Sequence, residues 1–286
     1  MRLKGIRRSR NIEDRRRAGG RRQVRRGGRG GGKAGVGLLV ILAIGYFAGI
    51  DVTPFLEGQG APTQSSAPRE LNASEQKAAE FSARVLATTE QVWGKVFPQQ
   101  FGKDYQPPVM VLFSGVTTSP CGGASGAIGP FYCPADKKSY LDTEFFATLS
   151  QQLGAKGDFA AAYVIAHEVA HHVQNELGIL PEVNRRRKAL NTTGANALTV
   201  RLELQADCLS GIWASAVNGL LEPGDLEEAL NAARKIGDDT LQKRAGKVPQ
   251  PHSFTHGTSA QRAGWFGRGY DSGDANQCDT FNAGRL

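Results

Sequence analysis

The residues best suited to chemistry are His167, Glu168 and His171, in the run His167-Glu168-Val169-Ala170-His171. Residues four apart on a helix share one face about a turn apart, so two histidines at that spacing can face one ion. A glutamate beside the first of them can reach a water held at that ion. This is the H-E-x-x-H pattern, and its chemistry is hydrolysis, with Zn2+ as Lewis acid and Glu168 as general base. Two imidazoles leave the set incomplete, because a hydrolytic zinc site takes three protein ligands and keeps a fourth position open. The third is expected downstream, in Leu202-Glu203-Leu204-Gln205-Ala206-Asp207, where Glu203 and Asp207 are again four apart. Glu203 is assigned as the third ligand. Asp207 is assigned to the far nitrogen of a ligand histidine, where it would fix the tautomer. Each pair alone would also suit an ordinary helix, as satisfied core histidines in one case and a solvated acidic face in the other.

Helices must position these groups. Phe159, Ala162, Tyr163, Ala166, Ala170, Val173 and Leu177 recur at helical spacing across Gly157 to Gly178. Asp158 is expected as the N-cap, with Gly178 and then Pro181 as the stop. Asn196 to Asn218 reads as the second helix of the site, apolar at Leu198, Leu202, Leu209, Ile212 and Trp213. Upstream, Asn72 with Glu75 reads as a capping box opening a helix to about Phe97. Val109 to Phe113 reads as a strand and Ser119 to Gly123 as a turn. Ala127 to Cys133 and Ser139 to Leu141 read as two more strands, and Thr143 to Leu153 as a helix. One of these strands is a candidate sheet edge beside the metal helix, which an extended peptide could join. Downstream, Glu182 to Leu190 is a short basic helix whose Arg185-Arg186-Arg187-Lys188 run is expected on a solvated face. Asp225 and Glu228 suggest a capping box for a helix to about Arg244. The tail from Pro249 is rich in Gly and polar residues. It carries His256, the candidate for stabilising an oxyanion, while His172 is expected to pack beside the site without a role.

The net charge of +8 is unevenly spread: residues 1–33 hold 14 Lys/Arg against 2 Asp/Glu, and the remainder 21 against 25. The basicity thus belongs to a terminal segment. Residues 1–33 are expected to be a disordered cytoplasmic tail, more a positive-inside signal than a specific nucleic-acid binder. Residues 34–50 (AGVGLLVILAIGYFAGI) are uncharged and apolar, and are expected to cross a membrane once. Residues 51–71 would be a linker, and 72–286 a metal-dependent domain outside the cytoplasm, periplasmic or extracellular. Four cysteines suit an oxidising compartment and allow three pairings. Cys121–Cys133 is favoured because it closes the turn before the candidate edge strand. Cys208–Cys278 would then staple the tail to the second helix of the site. No C-x-x-C spacing supports a four-cysteine zinc site.

The ordered set of motifs resembles the bacterial neutral zinc metallopeptidase family. The resemblance rests on the basic N-terminus and apolar segment, on Cys121 to Pro134, and on H-E-V-A-H-H-V-Q from His167 to Gln174. It continues in E-L-Q-A-D-C from Glu203 to Cys208 and in S-F-T-H-G-T-S-A-Q-R from Ser253 to Arg262. It implies a zincin-like domain with His167 and His171 as ligands and Glu168 as the catalytic residue. Similarity to glutamate-ligated zincins more broadly implies Glu203 as the third ligand. The N-terminal tail is longer and richer in Arg than the family pattern, so no role for it follows from the resemblance. The expected fold class is α+β, a small sheet followed by a mainly helical body. The expected function is a membrane-anchored zinc metallopeptidase acting on peptides or proteins. The alternative is a non-catalytic, metal-stabilised binding or scaffold protein of the cell envelope, which would have no use for Glu168.

Overall fold

The structure, a computed structural model, describes residues 1–17, 70–125 and 129–286. In chain order its elements are β1 (Ile12–Asp14), α1 (Ala73–Phe101), β2 (Val109–Phe113), β3 (Val116–Ser119), β4 (Gly122–Ser125), β5 (Phe131–Cys133) and β6 (Lys138–Asp142). The helices α2 (Phe145–Gln151), α3 (Asp158–Glu176), α4 (Ile179–Arg187), α5 (Thr192–Ala216), α6 (Asp225–Lys235), α7 (Asp238–Arg244) and α8 (Ser259–Ser272) follow. The class is α+β, with a small mixed sheet and eight α-helices among the described residues.

The sheet runs β1-β2-β6-β5, with β1, β2 and β6 parallel and β5 antiparallel to β6. β2 is the uninterrupted apolar run Val109-Met110-Val111-Leu112-Phe113, which suits a parallel strand covered on both faces. β5 is an edge, and it is the strand nearest α3. The expected turn at Ser119 to Gly123 is the tip of the β3–β4 hairpin, which the Cys121–Cys133 disulfide ties to β5. The capping box of α1 is present: Glu75 N donates to Asn72 Oδ1, and Asn72 N donates to Glu75 Oε2. Trp213 Nε1 donates to Thr88 Oγ1 between α5 and α1, beside a core of Leu86, Trp93, Phe159, Tyr163 and Phe266.

The C-terminal tail holds an element that its composition conceals. α8 opens on a Thr258/Gln261 capping box and crosses α5 at unusually close range. A Cβ on Gly269 would stand 1.8 Å from the Cys208 carbonyl oxygen, and one on Gly211 2.1 Å from that of Phe266. Only glycine lets the two backbones approach this way, and the Cys208–Cys278 disulfide fastens the same region.

Three expectations need correction. The first concerns the N-terminus. Residues 1–17 are not an unstructured tail, because β1 pairs with β2 in the register Ile12↔Met110 and Asp14↔Leu112. Met1 and Leu3 are buried, and the Met1 ammonium donates to Asp158 and Glu222 at 2.9 Å. The arginines here are largely spent on the domain itself: Arg7 pairs with Glu90, Arg15 with Glu13, and Arg16 with Asp14.

The second correction concerns localisation. Among the described residues no helix is long and apolar enough to cross a membrane. The expected span 34–50 lies outside the described residues, as does most of the expected linker. A single crossing there would put β1 and β2 on opposite sides of a bilayer, which neighbouring strands of one sheet cannot be. The expected cytoplasmic N-terminus with an extracytoplasmic domain is therefore overturned.

The third concerns helix ends. Gly157, not Asp158, precedes α3 as its cap, and Glu228 reaches across from α6 to accept from Phe159 N at 3.0 Å. With Glu228 so used, α6 has no Asp225/Glu228 capping box; Asp225 accepts from Glu222 N instead. The helix expected to run to Arg244 is divided into α6 and α7 at Ile236–Gly237, and Asp238 begins the second piece.

Candidate metal centre

α3 is buried along almost its whole length, from Phe159 to Gln174, so its polar residues must find partners inside the protein. His167 and His171 sit one turn apart, their rings 4.8 Å between centroids and nearly perpendicular. α5 runs alongside and brings Glu203 to both: His167 Nε2 is 3.1 Å from one carboxylate oxygen and His171 Nε2 3.5 Å from the other. A ligand atom from each of the three residues lies within 4.8 Å of the others.

Each histidine is turned by a partner at its far nitrogen. His171 Nδ1 donates to Gln174 Oε1 at 2.9 Å. Gln174 uses its amide nitrogen on the Leu202 carbonyl and on Gln205 Oε1, so only its oxygen is left for the ring. His171 thus carries its proton on Nδ1 and presents Nε2. His167 Nδ1 lies 2.9 Å from Asp207 Oδ1, at ion-pair distance but without hydrogen-bond alignment. Asp207 also accepts from Tyr163 Oη at 2.5 Å and from Arg262 Nε and Nη2 at 2.8 and 2.9 Å. No role at the site is expected from the sequence for Gln174, Tyr163 or Arg262. Gln174 carried a signal, since it lies three residues after His171 on the same helical face.

The donor set fits a zinc ion. Two imidazole nitrogens and one carboxylate converge, each ring has a partner at its far nitrogen, and the space in front is a cavity. Without an ion the same atoms hold one another by charge. Burial opposes charging His167, but Asp207 and Glu203 outweigh it and raise its pKa to about 9. Burial likewise opposes ionising Glu203, but His171 and His167 hold its carboxyl well below the usual range. Glu168 differs. Burial pushes its carboxyl above the ordinary range, with His171 and His167 pulling the other way.

The cavity, of about 120 Å3, is lined by His167, Glu168, His171, Glu203 and His256 and walled by apolar side chains including Phe131 and Leu202. It has room for a few waters, each occupying about 30 Å3 in the liquid, or for one side chain. β5 supplies part of the wall. His256 arrives on the segment between α7 and α8 and is 2 % exposed. Its Nδ1 is 3.2 Å from Asp238 Oδ1, and its Nε2 is buried without a partner among the described residues. His172 lies apart: Tyr132 Oη and the Gln106 carbonyl occupy its two nitrogens.

Asp238 holds the His256 segment in place. Its Oδ2 accepts from the backbone N–H of Thr255, His256 and Gly257. Burial works against the charge, but His256 and these N–H groups prevail and lower the pKa. A lowered pKa contributes stability above the unfolded value of about 3.9, and that stability is lost as pH falls through the folded value. Asp238→Asn is therefore expected to cost about 1.5–3 kcal/mol at neutral pH. The gap from wild type should close as pH falls through the Asp238 titration. Denaturant unfolding of both proteins across that range measures it, and a gap independent of pH would count against the charge.

A family model described as "Putative neutral zinc metallopeptidase" matches residues 1–281. The chain is 47% identical over 287 residues to "Uncharacterized protein YpfJ" of Escherichia coli strain K12, covering 98% of this chain and 99% of that one. It is 43% identical over 219 residues to "Uncharacterized protein Rv2575" of Mycobacterium tuberculosis, covering 71% of each. No solved structure matches.

Proposed function

The chain belongs to this neutral zinc metallopeptidase family, and on that premise we propose that it is a zinc-dependent peptidase with a zincin-like active site. One observation carries the reading: His167 and His171 on α3 and Glu203 on α5 converge at the wall of a cavity that Glu168 also faces. In this reading His167, His171 and Glu203 hold the ion, Asp207 and Gln174 orient the two rings, and a peptide or protein is the substrate. Zinc, when bound, supplies a Lewis acid that polarises a carbonyl and makes water more acidic.

The chain's own groups do the rest. Glu168 takes a proton from the attacking water and returns it to the amine as the C–N bond breaks. Its raised pKa suits a group that must both accept and release a proton. His256, held at Nδ1 by Asp238, turns Nε2 into the cavity, towards the carbonyl oxygen on which negative charge develops. The outer edge of β5, unpaired among the described residues, offers backbone groups to an extended peptide. The largely apolar walls exclude water and strengthen each of these interactions.

The test is zinc content of the full-length chain beside its Glu203→Ala variant, by elemental analysis. About one zinc per chain is expected in wild type, and a sharp loss in the variant, since a zinc site of this kind needs three protein ligands. Wild type that binds no zinc would overturn the reading. Zinc retained in the variant would remove Glu203 from the ligand set.

A further inference from the structure

Four positively charged residues stand together at Arg185-Arg186-Arg187-Lys188, and one of them does not face solvent. Arg185 pairs outward with Glu182. Arg187, on the last turn of α4, turns into the protein and is 7 % exposed. Its Nε and Nη1 are buried and meet no hydrogen-bond partner among the described residues. It lines the same cavity as His167, Glu168 and Glu203. One turn earlier on α4, Asn184 also lines the cavity, and its Oδ1 is again buried without a partner.

Such groups are costly. A guanidinium taken out of water loses several kcal/mol of solvation, which the Glu203 charge opposes without an ion pair, and polar atoms placed like this are ordinarily paired. Here the unmet donors and the unmet acceptor lie three residues apart on one helical face, beside the proposed reaction centre. A guanidinium fork matches a carboxylate, which it holds by two parallel bonds. A side-chain carbonyl matches a backbone N–H. The last residue of a peptide offers both, a carboxylate and, one residue's reach away, an N–H. The apolar wall at Leu180 and Leu202 suits an uncharged side chain between them.

We propose that Arg187 and Asn184 form a subsite for a carboxylate of the peptide substrate, in the first place its C-terminal carboxylate, so that cleavage falls near C-terminal ends. The inference takes the peptide nature of the ligand from the peptidase reading, but its test does not need turnover.

Binding is measured by calorimetry on the full-length chain carrying Glu168→Gln, with and without Arg187→Gln. The probes are acetyl-alanyl-alanyl-phenylalanine as free acid, the same peptide as its amide, and an amidated analogue ending in glutamate. The free acid is expected to bind about tenfold or more tightly than the amide, and Arg187→Gln to remove that difference while leaving amide affinity and zinc content unchanged. Arg187→Lys, which keeps charge but not the fork, should fall between. If the amidated glutamate peptide shows the Arg187-dependent gain and the free acid does not, the carboxylate chemistry stands, but its source is an acidic side chain. Equal binding of acid and amide overturns the inference. So does an Arg187→Gln variant that unfolds or loses zinc, since Arg187 would then serve the fold or Glu203.

Hydrolysis by the Glu168-containing parent is scored separately. Arg187-dependent binding without any hydrolysis would sink the peptidase reading and keep the subsite. Hydrolysis indifferent to Arg187 and to a terminal carboxylate would do the reverse.

Discussion

Glu168→Gln is expected to keep its zinc and its fold while losing peptide hydrolysis by about 10²- to 10⁴-fold, the usual contribution of a positioned general base. The fold should tolerate the change because Glu168 is a buried carboxylate whose ionised form burial disfavours. Glutamine fills the same space without the charge, so thermal stability should be equal or higher. Activity and stability then move in opposite directions, which a merely structural residue would not produce. Zinc content, melting temperature and turnover of a peptide that wild type cleaves, measured on the same preparations, decide it. Turnover near the wild-type rate would remove Glu168 as the base.

Asp207→Ala is expected to cost about 3–5 kcal/mol of folding stability, a large share of the 5–15 kcal/mol that holds a typical domain together. Asp207 is fully buried and is the counter-charge of Arg262, whose side chain is itself only 2 % exposed. Removing it strands that guanidinium, deprives the Tyr163 hydroxyl of its acceptor and frees the back of His167. Two consequences separate these roles. Combining Asp207→Ala with Arg262→Leu should recover much of the lost stability, since no uncompensated charge remains. Zinc affinity should not recover, because His167 still lacks its partner, and a loss of about 10- to 100-fold is expected. Denaturant unfolding and competitive zinc titration of the single and double variants measure the two. Full additivity in the stability cycle would mean that Asp207 and Arg262 do not act as a pair.

How much of this was legible in the sequence depends on whether the signal was local. The spacing of His167, Glu168 and His171 is a local fact about one helix, and so is the Asn72/Glu75 capping box. β2 was readable because five consecutive apolar residues admit few other placements. What failed was decided by distant partners. Asp158 and Glu228 look like caps for their own helices, yet one meets the Met1 ammonium and the other serves α3, three helices earlier in the chain. α8 was hidden because Gly264, Gly267 and Gly269 lower helix propensity, whereas Gly269 is present to admit α5. Arg187 was averaged into a basic run whose other members point outward. The N-terminal segment misleads in the same way. Averaged over 33 residues it is Arg- and Gly-rich, but its first seventeen include Met1, Leu3, Ile6 and Ile12, which pack on the core.

That segment has a consequence for how the chain is threaded. Arg16 Nη1 donates to the Glu75 carbonyl at 2.7 Å, so the chain before residue 18 and the chain after residue 69 are fastened side by side. Residues 18–69 therefore join two points that the fold holds together. While that connection is whole, β1 is held at its sheet edge by a fixed effective concentration. Once it is severed, the same segment becomes a separate ligand, and whether the fourth strand of the sheet is present depends on dilution.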